Sequence, residues 1–334
     1  MKAWRLAAVA AGLLVAVHAV CADDPPAGAP LTTPATIQPG GAPATIPTYT
    51  LPPPPTIDTV EELIAWAGEQ RGAIEAIAGG KFTGEVTIKA ATTDQLAERI
   101  GQSIEADMVG LNRPDGKPMT VVEIHIRAMS AAYKIATRTF GLYSHEDRVV
   151  YVAPENVTKY AKKFGWGQET ATRVPRLALA HEMVHALQDQ RLGLGERHSR
   201  TFGEERAALT AVLEGQAVWV TDELAKRLEW TGANAMLWGL IAGVRDEEAS
   251  QFKAGAAPKL GFVPSAEIYE LGKKFITHQA AYAGEGPKGA ERVWLIVKNP
   301  PATVDALRDP EKFEVKAEGK STSSSDATPG KDKP

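Results

Sequence analysis

Leu177-Ala178-Leu179-Ala180-His181-Glu182-Met183-Val184-His185-Ala186-Leu187-Gln188-Asp189-Gln190 decides how the rest of this chain is read. Leu177, Ala180, Val184 and Leu187 recur at the three- and four-residue spacing of a helix that packs one face on a core. The helix is expected to open near Thr172, with Pro175 in its first turn, and to run to about Gln190. Gly193 and Gly195 then stop it. His181 and His185 are four apart, so their imidazoles leave the same side about one turn from each other. Two nitrogens so placed suit a single tetrahedral cation. Glu182, beside the first histidine, is placed to reach a water next to that cation and not the cation itself. The helix should therefore be packed on one side and open to a cleft on the other.

Short patterns recur by chance, and two solvated or core histidines beside a surface glutamate would read the same way. A third ligand narrows the choice. The metzincin arrangement needs Gly and His at fixed places after the second histidine, and Gln188 and Arg191 stand there instead. The gluzincin arrangement takes a glutamate from the next helix, expected over about Gly203 to Leu228. Glu214 is the choice, because Ala207, Ala211 and Val218 share its face and Gly215 lies beside it, which lets two helices approach closely. Glu196, Glu204, Glu205 and Asp222 compete for the role.

Working outward, helices dominate. Thr59 to Ile77 has helical spacing and stops at Gly79-Gly80. Glu85 to Lys89 alternates like a short strand, Thr93 caps a helix to about Met108, and Val121 to Thr139 reads as another. Phe140-Gly141-Leu142-Tyr143 and Val149-Val150-Tyr151-Val152 are apolar runs on either side of the polar turn Ser144-His145-Glu146-Asp147-Arg148. The expected fold is α+β: a predominantly helical domain over 57–315, zincin-like as the gluzincin arrangement implies, with a small sheet or hairpin upstream of the metal-binding helix.

The two ends differ from this middle. Lys2 and Arg5 precede an apolar run from Leu6 to Val17, and Val20-Cys21-Ala22 supplies small residues ahead of Asp23, the order of an export leader over 1–22. An uncleaved anchor and a lipid attached at Cys21 are the alternatives, although Val20 stands where lipoprotein signals need Gly, Ala or Ser. Residues 23–56 are a Pro/Ala/Thr-rich linker by composition, and 316–334 a polar tail. Loss of the leader removes Lys2 and Arg5, leaving 35 basic against 41 acidic residues, and also removes the only cysteine. Any metal in the mature chain must then be held by His and carboxylate. A whole-chain charge of −4 offers no electrostatic reason to expect nucleic acid. No later stretch is long and apolar enough to span a bilayer; Ala235 to Val244 is the best candidate and reads as a buried helix.

His181 to Gln190, with the later Glu214-Gly215-Gln216-Ala217, resembles a group of exported bacterial gluzincin-type zinc metallopeptidases. The likeness runs upstream through Phe140–Val152 and downstream through Tyr269-Glu270-Leu271-Gly272-Lys273-Lys274-Phe275 to Asp309-Pro310-Glu311-Lys312-Phe313. It implies Zn²⁺ on His181, His185 and Glu214, Glu182 as general base, and a peptide or protein substrate outside the cytoplasm, periplasmic or extracellular. There are two departures. Thermolysin-like relatives support a histidine with an Asp four residues after the ligand Glu, and here that place is Val218, so Asp189 or Gln216 is nominated instead. Asp309 stands where the group usually has a histidine. Tyr143, His145, His198, Tyr269 and His278 are candidates to stabilise the transition state, with no signal choosing between them. The strand at Val149–Val152 is read either as an edge that pairs with a peptide or as a buried core strand. An exported zinc- or partner-binding module that cleaves nothing, and a helical envelope scaffold, are the alternative functions.

Overall fold

A computed structural model describes residues 53–108, 116–201, 203–240, 266–284 and 286–315. The leader, the linker up to residue 52 and the tail lie outside the described residues, as does the end of the 235–244 segment. The described residues are mostly helical, with one small sheet among them. In order it forms α1 (Val60–Ala78), β1 (Thr87–Ala90), α2 (Thr93–Met108), α3 (Val121–Ala136), β2 (Gly141–Ser144), β3 (Val149–Val152), α4 (Pro154–Phe164), α5 (Gln168–Leu192), α6 (Leu194–Arg200) and α7 (Gly203–Arg227). Helical residues 231–240 make α8, followed by α9 (Ala266–Ala283) and α10 (Pro287–Lys298). No helix among the described residues is long and apolar enough to cross a membrane.

Local chemistry accounts for most of these boundaries. Thr59 and Thr120 close capping boxes with Glu62 and Glu123 at the starts of α1 and α3. The cap of α2 is Thr92, not Thr93: its hydroxyl accepts from the Gln95 N–H at 3.2 Å while Gln95 accepts from the Thr92 N–H at 2.9 Å. Thr93 is instead turned towards Glu155 and Asn156 on α4, a helix absent from the sequence reading. The long helix α5 begins four residues earlier than Thr172, after Gly167, so Pro175 lies inside it and not in its first turn. Gly193 ends it in the left-handed region, as expected, but Gly195 belongs to the next helix.

The sheet order is β1-β3-β2, with β3 parallel to β1 and antiparallel to β2. Alternation splits the strand residues between two cores. Ile88, Tyr143, Val150 and Val152 pack with α1, α5 and α7, whereas Leu142, Val149 and Tyr151 pack with α2 and α3. The sheet is thus a middle layer between a helical hairpin and the helices that carry the site. Because β3 is paired on both sides, it is the buried core strand of the two readings and has no edge for a peptide. The outer strand next to α5 is β2.

On the other side of the site, α7 packs against α9. Gly215 and Gly272 face each other there, and a Cβ on Gly272 would overlap the main chain at Ala211, as one on Gly215 would overlap Gly272. The small residues around Glu214 do permit close approach, but the helix that uses it is α9 and not α5.

Candidate metal centre

Three helices and one strand build the site. His181, Glu182 and His185 come from the middle of α5, Glu214 from the middle of α7, and the main chain of β2 lies over Glu182. Exposures of 0%, 0%, 1% and 2% for His181, Glu182, His185 and Glu214 leave none of the four open to solvent. The expected cleft on the histidine side is therefore closed in this structure. Trp238 on α8 stands edge-on to the His181 ring, with centroids 5.6 Å apart.

The three donor atoms converge. Nε2 of His181 and Nε2 of His185 are 3.0 Å apart, and Oε2 of Glu214 lies 3.3 Å from the first and 3.4 Å from the second. Bonds of zinc to imidazole and carboxylate near 2.0–2.1 Å set a tetrahedral edge of about 3.3 Å. The donors are thus spaced as three corners of such a tetrahedron, and they are the one group of this kind among the described residues. Two neutral imidazoles and one carboxylate suit zinc, and the set contains no thiolate.

Electrostatics show what it costs to bury this group without a cation. Burial works to raise the Glu214 carboxyl, but charge on His185 and hydrogen bonds from both imidazoles hold it far below its ordinary range. Burial works to lower His185, and the Glu214 carboxylate outweighs it and raises it. Both shifts have one cause: the buried carboxylate and imidazoles favour positive charge between them, which is the setting a cation would enter.

Glu182 is handled differently. Its Oε2 accepts from the Tyr143 main-chain N–H at 2.8 Å, while Oε1 is buried with no hydrogen-bond partner. Burial pushes the carboxyl up to about 8, with the charge on His185 and the Tyr143 N–H opposing and Glu214 adding. Gly141 makes room for it: a Cβ there would come within 3.0 Å of Glu182 Cγ. Nothing in a single sequence singled out the Gly141–Tyr143 main chain as part of the site.

The chain matches no family model, no curated protein and no solved structure. Placement of the remaining nominated residues thus rests on geometry alone.

Asp189 does not touch either histidine of the triad. It accepts from the Tyr143 hydroxyl at 2.8 Å and the Leu194 N–H at 2.7 Å, and its Oδ1 lies 3.7 Å from His145 Nδ1. His198 completes this second cluster, its ring centroid 5.7 Å from that of His145. Seven residues of helix separate Glu182 from Asp189, about 10 Å, so the side chains of Tyr143, His145 and His198 gather around the far end of α5. Tyr269 is buried in an apolar cluster with Val218 and Leu237, His278 is exposed on α9, and Asp309 is at the surface paired with Lys312 at 2.8 Å.

The residue that does contact a triad histidine is Gln188, whose Oε1 lies 2.9 Å from His185 Nδ1. Gln216 reaches the site only through it, at 3.0 Å. The carboxylates that competed with Glu214 stand elsewhere. Glu196 pairs with Arg200, Glu204 accepts from the Val304 N–H, and Glu205 is exposed near the start of α7. Asp222 binds Asn234, Trp238 and Lys273.

Proposed function

We propose that this chain is an exported zinc metallopeptidase of the gluzincin type, acting on peptides or proteins in the periplasm or outside the cell. The observation that carries the reading is the Glu182 carboxylate, held by a strand N–H beside a three-donor group of tetrahedral spacing, with one oxygen uncommitted. His181, His185 and Glu214 would hold Zn²⁺. Zinc, when bound, supplies Lewis acidity that polarises a carbonyl and acidifies water.

The protein's own part is proton handling and orientation. Glu182 Oε1 takes the proton of the attacking water and later delivers it to the leaving amine, while Oε2 stays on the Tyr143 N–H and keeps the carboxylate aimed. A base with a pKa brought near the working pH is suited to both transfers. Residues 1–22 act as the leader, 23–56 as a spacer, 57–315 as the catalytic domain and 316–334 as a tail. N-terminal sequencing of secreted protein should find Asp23 first; recovery of Met1 on membrane-embedded protein would refute export of a free chain.

Complete burial of the four side chains favours a second reading, a zinc-binding module that hydrolyses nothing. Zinc stoichiometry and turnover together distinguish the two. The wild type should carry one zinc per chain and cleave denatured casein or a mixed peptide library near neutral pH, with chelator abolishing and zinc restoring cleavage. Glu182→Gln should keep the zinc and lose about 10²–10⁴-fold in rate. Zinc in both proteins with cleavage by neither would establish the non-hydrolytic module instead.

A further inference from the structure

The geometry points to Gln188 as the residue that fixes the tautomer of His185 and ties that imidazole to the segment carrying Glu214. This rests on the metal-binding reading of the triad. Donors and acceptors in a buried amide network leave one arrangement open. Gln188 Nε2 lies 2.9 Å from the Leu213 main-chain oxygen and 3.0 Å from Gln216 Oε1. A main-chain oxygen can only accept, so the NH₂ of Gln188 must face it. The carbonyl end of the same amide is then forced towards His185, 2.9 Å from Nδ1.

Gln216 supports the same orientation. Its Nε2 faces the Ala78 main-chain oxygen at 3.4 Å, near the end of α1, which leaves Oε1 to accept from Gln188. One arrangement satisfies the whole chain from His185 through Gln188 and Gln216 to Ala78; flipping either amide would set oxygen against oxygen. Gln188 and Gln216 are both 0% exposed, so no water competes for these positions.

An acceptor at Nδ1 requires that nitrogen to carry the proton. Nε2, the atom 3.4 Å from Glu214 and 3.0 Å from His181 Nε2, then keeps its lone pair for the cation. Partners of this kind orient a metal-bound histidine and raise its basicity. Gln188 does a second thing through Leu213. It anchors α5 to the main chain immediately before Glu214, so the orientation of one ligand and the placement of another share one side chain. Gln188 is a positioning residue: it touches neither cation nor substrate.

The test is zinc affinity, measured by competition with a chromogenic chelator. Gln188→Met keeps the length but cannot accept from Nδ1–H, and its zinc affinity should fall about 10- to 100-fold. Gln188→Glu retains an acceptor oxygen towards Nδ1–H and, only when protonated, a donor towards Leu213 O, so at mildly acidic pH it should recover part of that loss. Imidazole ¹⁵N spectra of the zinc-loaded wild type should show His185 protonated at Nδ1 and bound through Nε2, a measurement that stands even if a variant fails to fold. A Met variant that binds zinc like wild type, equal losses in the Met and Glu variants at that pH, or a His185 bound through Nδ1 would overturn the assignment while leaving the metal site intact. Wild-type protein that binds no zinc would overturn both.

Discussion

Helix α5 carries two buried polar clusters, around His185 and, one turn later, around Asp189, and they are built to different plans. Around His185 the donor atoms converge: two imidazole nitrogens and a carboxylate oxygen all lie within 4.8 Å of one another. Around Asp189 the groups diverge. One carboxylate reaches outward to the β2–β3 hairpin through the Tyr143 hydroxyl, to the start of α6 through the Leu194 N–H, and towards His145 Nδ1 at 3.7 Å. Convergence of lone pairs is costly unless a proton or cation sits among them. A diverging carboxylate, by contrast, satisfies donors at chain ends and joins elements together. The comparison separates a ligand-binding arrangement from a structural knot made of the same residue types.

The largest effect should come from removing a member of the converging cluster. His185→Ala or Glu214→Ala should lower zinc from one ion per chain to none detectable after dialysis, read by metal analysis. Retention of full occupancy in Glu214→Ala, with loss in Asp222→Ala or Glu204→Ala, would move the third ligand elsewhere and erase the contrast.

Asp189→Ala should do the reverse. It leaves the Tyr143 hydroxyl and the Leu194 N–H without their acceptor in a buried setting, which should destabilise the fold by about 3 kcal/mol in denaturant unfolding. Whatever folds should still bind one zinc. Loss of zinc from a folded Asp189→Ala protein would mean that the two clusters act as one.

The smallest effect concerns His198. Burial, then the neighbouring His145 and Arg206, push its pKa down to about 3, against a hydrogen bond to the Leu194 main-chain oxygen. Arg197 adds to the lowering, and Asp189 is the acidic group across the cluster. The unfolded chain binds a proton here below about pH 6.5 while the folded chain does not, so this group's contribution to stability falls as pH falls. Between pH 7 and pH 6 the loss should be about 0.7 kcal/mol, and His198→Leu should flatten that slope. An unchanged slope in the variant would show that this histidine is protonated in the fold.

How far the site was legible from residues alone follows from the range of each interaction. His181 and His185 are related by helical geometry, so their common side could be read directly from a spacing of four. Glu214 is non-local, and small neighbours pointed to it for a partly mistaken reason: Gly215 makes room for Gly272 on α9, not for α5. Gln188 carries no signal of its role in the sequence, because only the position of Leu213 O shows which way its amide must face. Asp189 was nominated for its place one turn after His185, yet its carboxylate is drawn to the end of its own helix and to Tyr143. The start of α5 was misplaced because Pro175 reads as a first-turn residue, whereas tertiary packing carries the helix through it.

Sequence by itself determined the periodic facts: a helix bearing two histidines and a glutamate at fixed offsets, an apolar hairpin before it, and a mostly helical domain between unlike ends. These depend on 3.6- and 2-residue repeats, which any reader of the chain can count. Tertiary structure decided everything that needs two distant segments at hydrogen-bond range. It set the 3.0–3.4 Å convergence of the donors, the Tyr143 N–H on Glu182, the closed face over the histidines and the place of β3 in the middle of the sheet. The physical reason is that local repeats state which side of an element is buried, while the partner that side meets is chosen by packing of the whole chain.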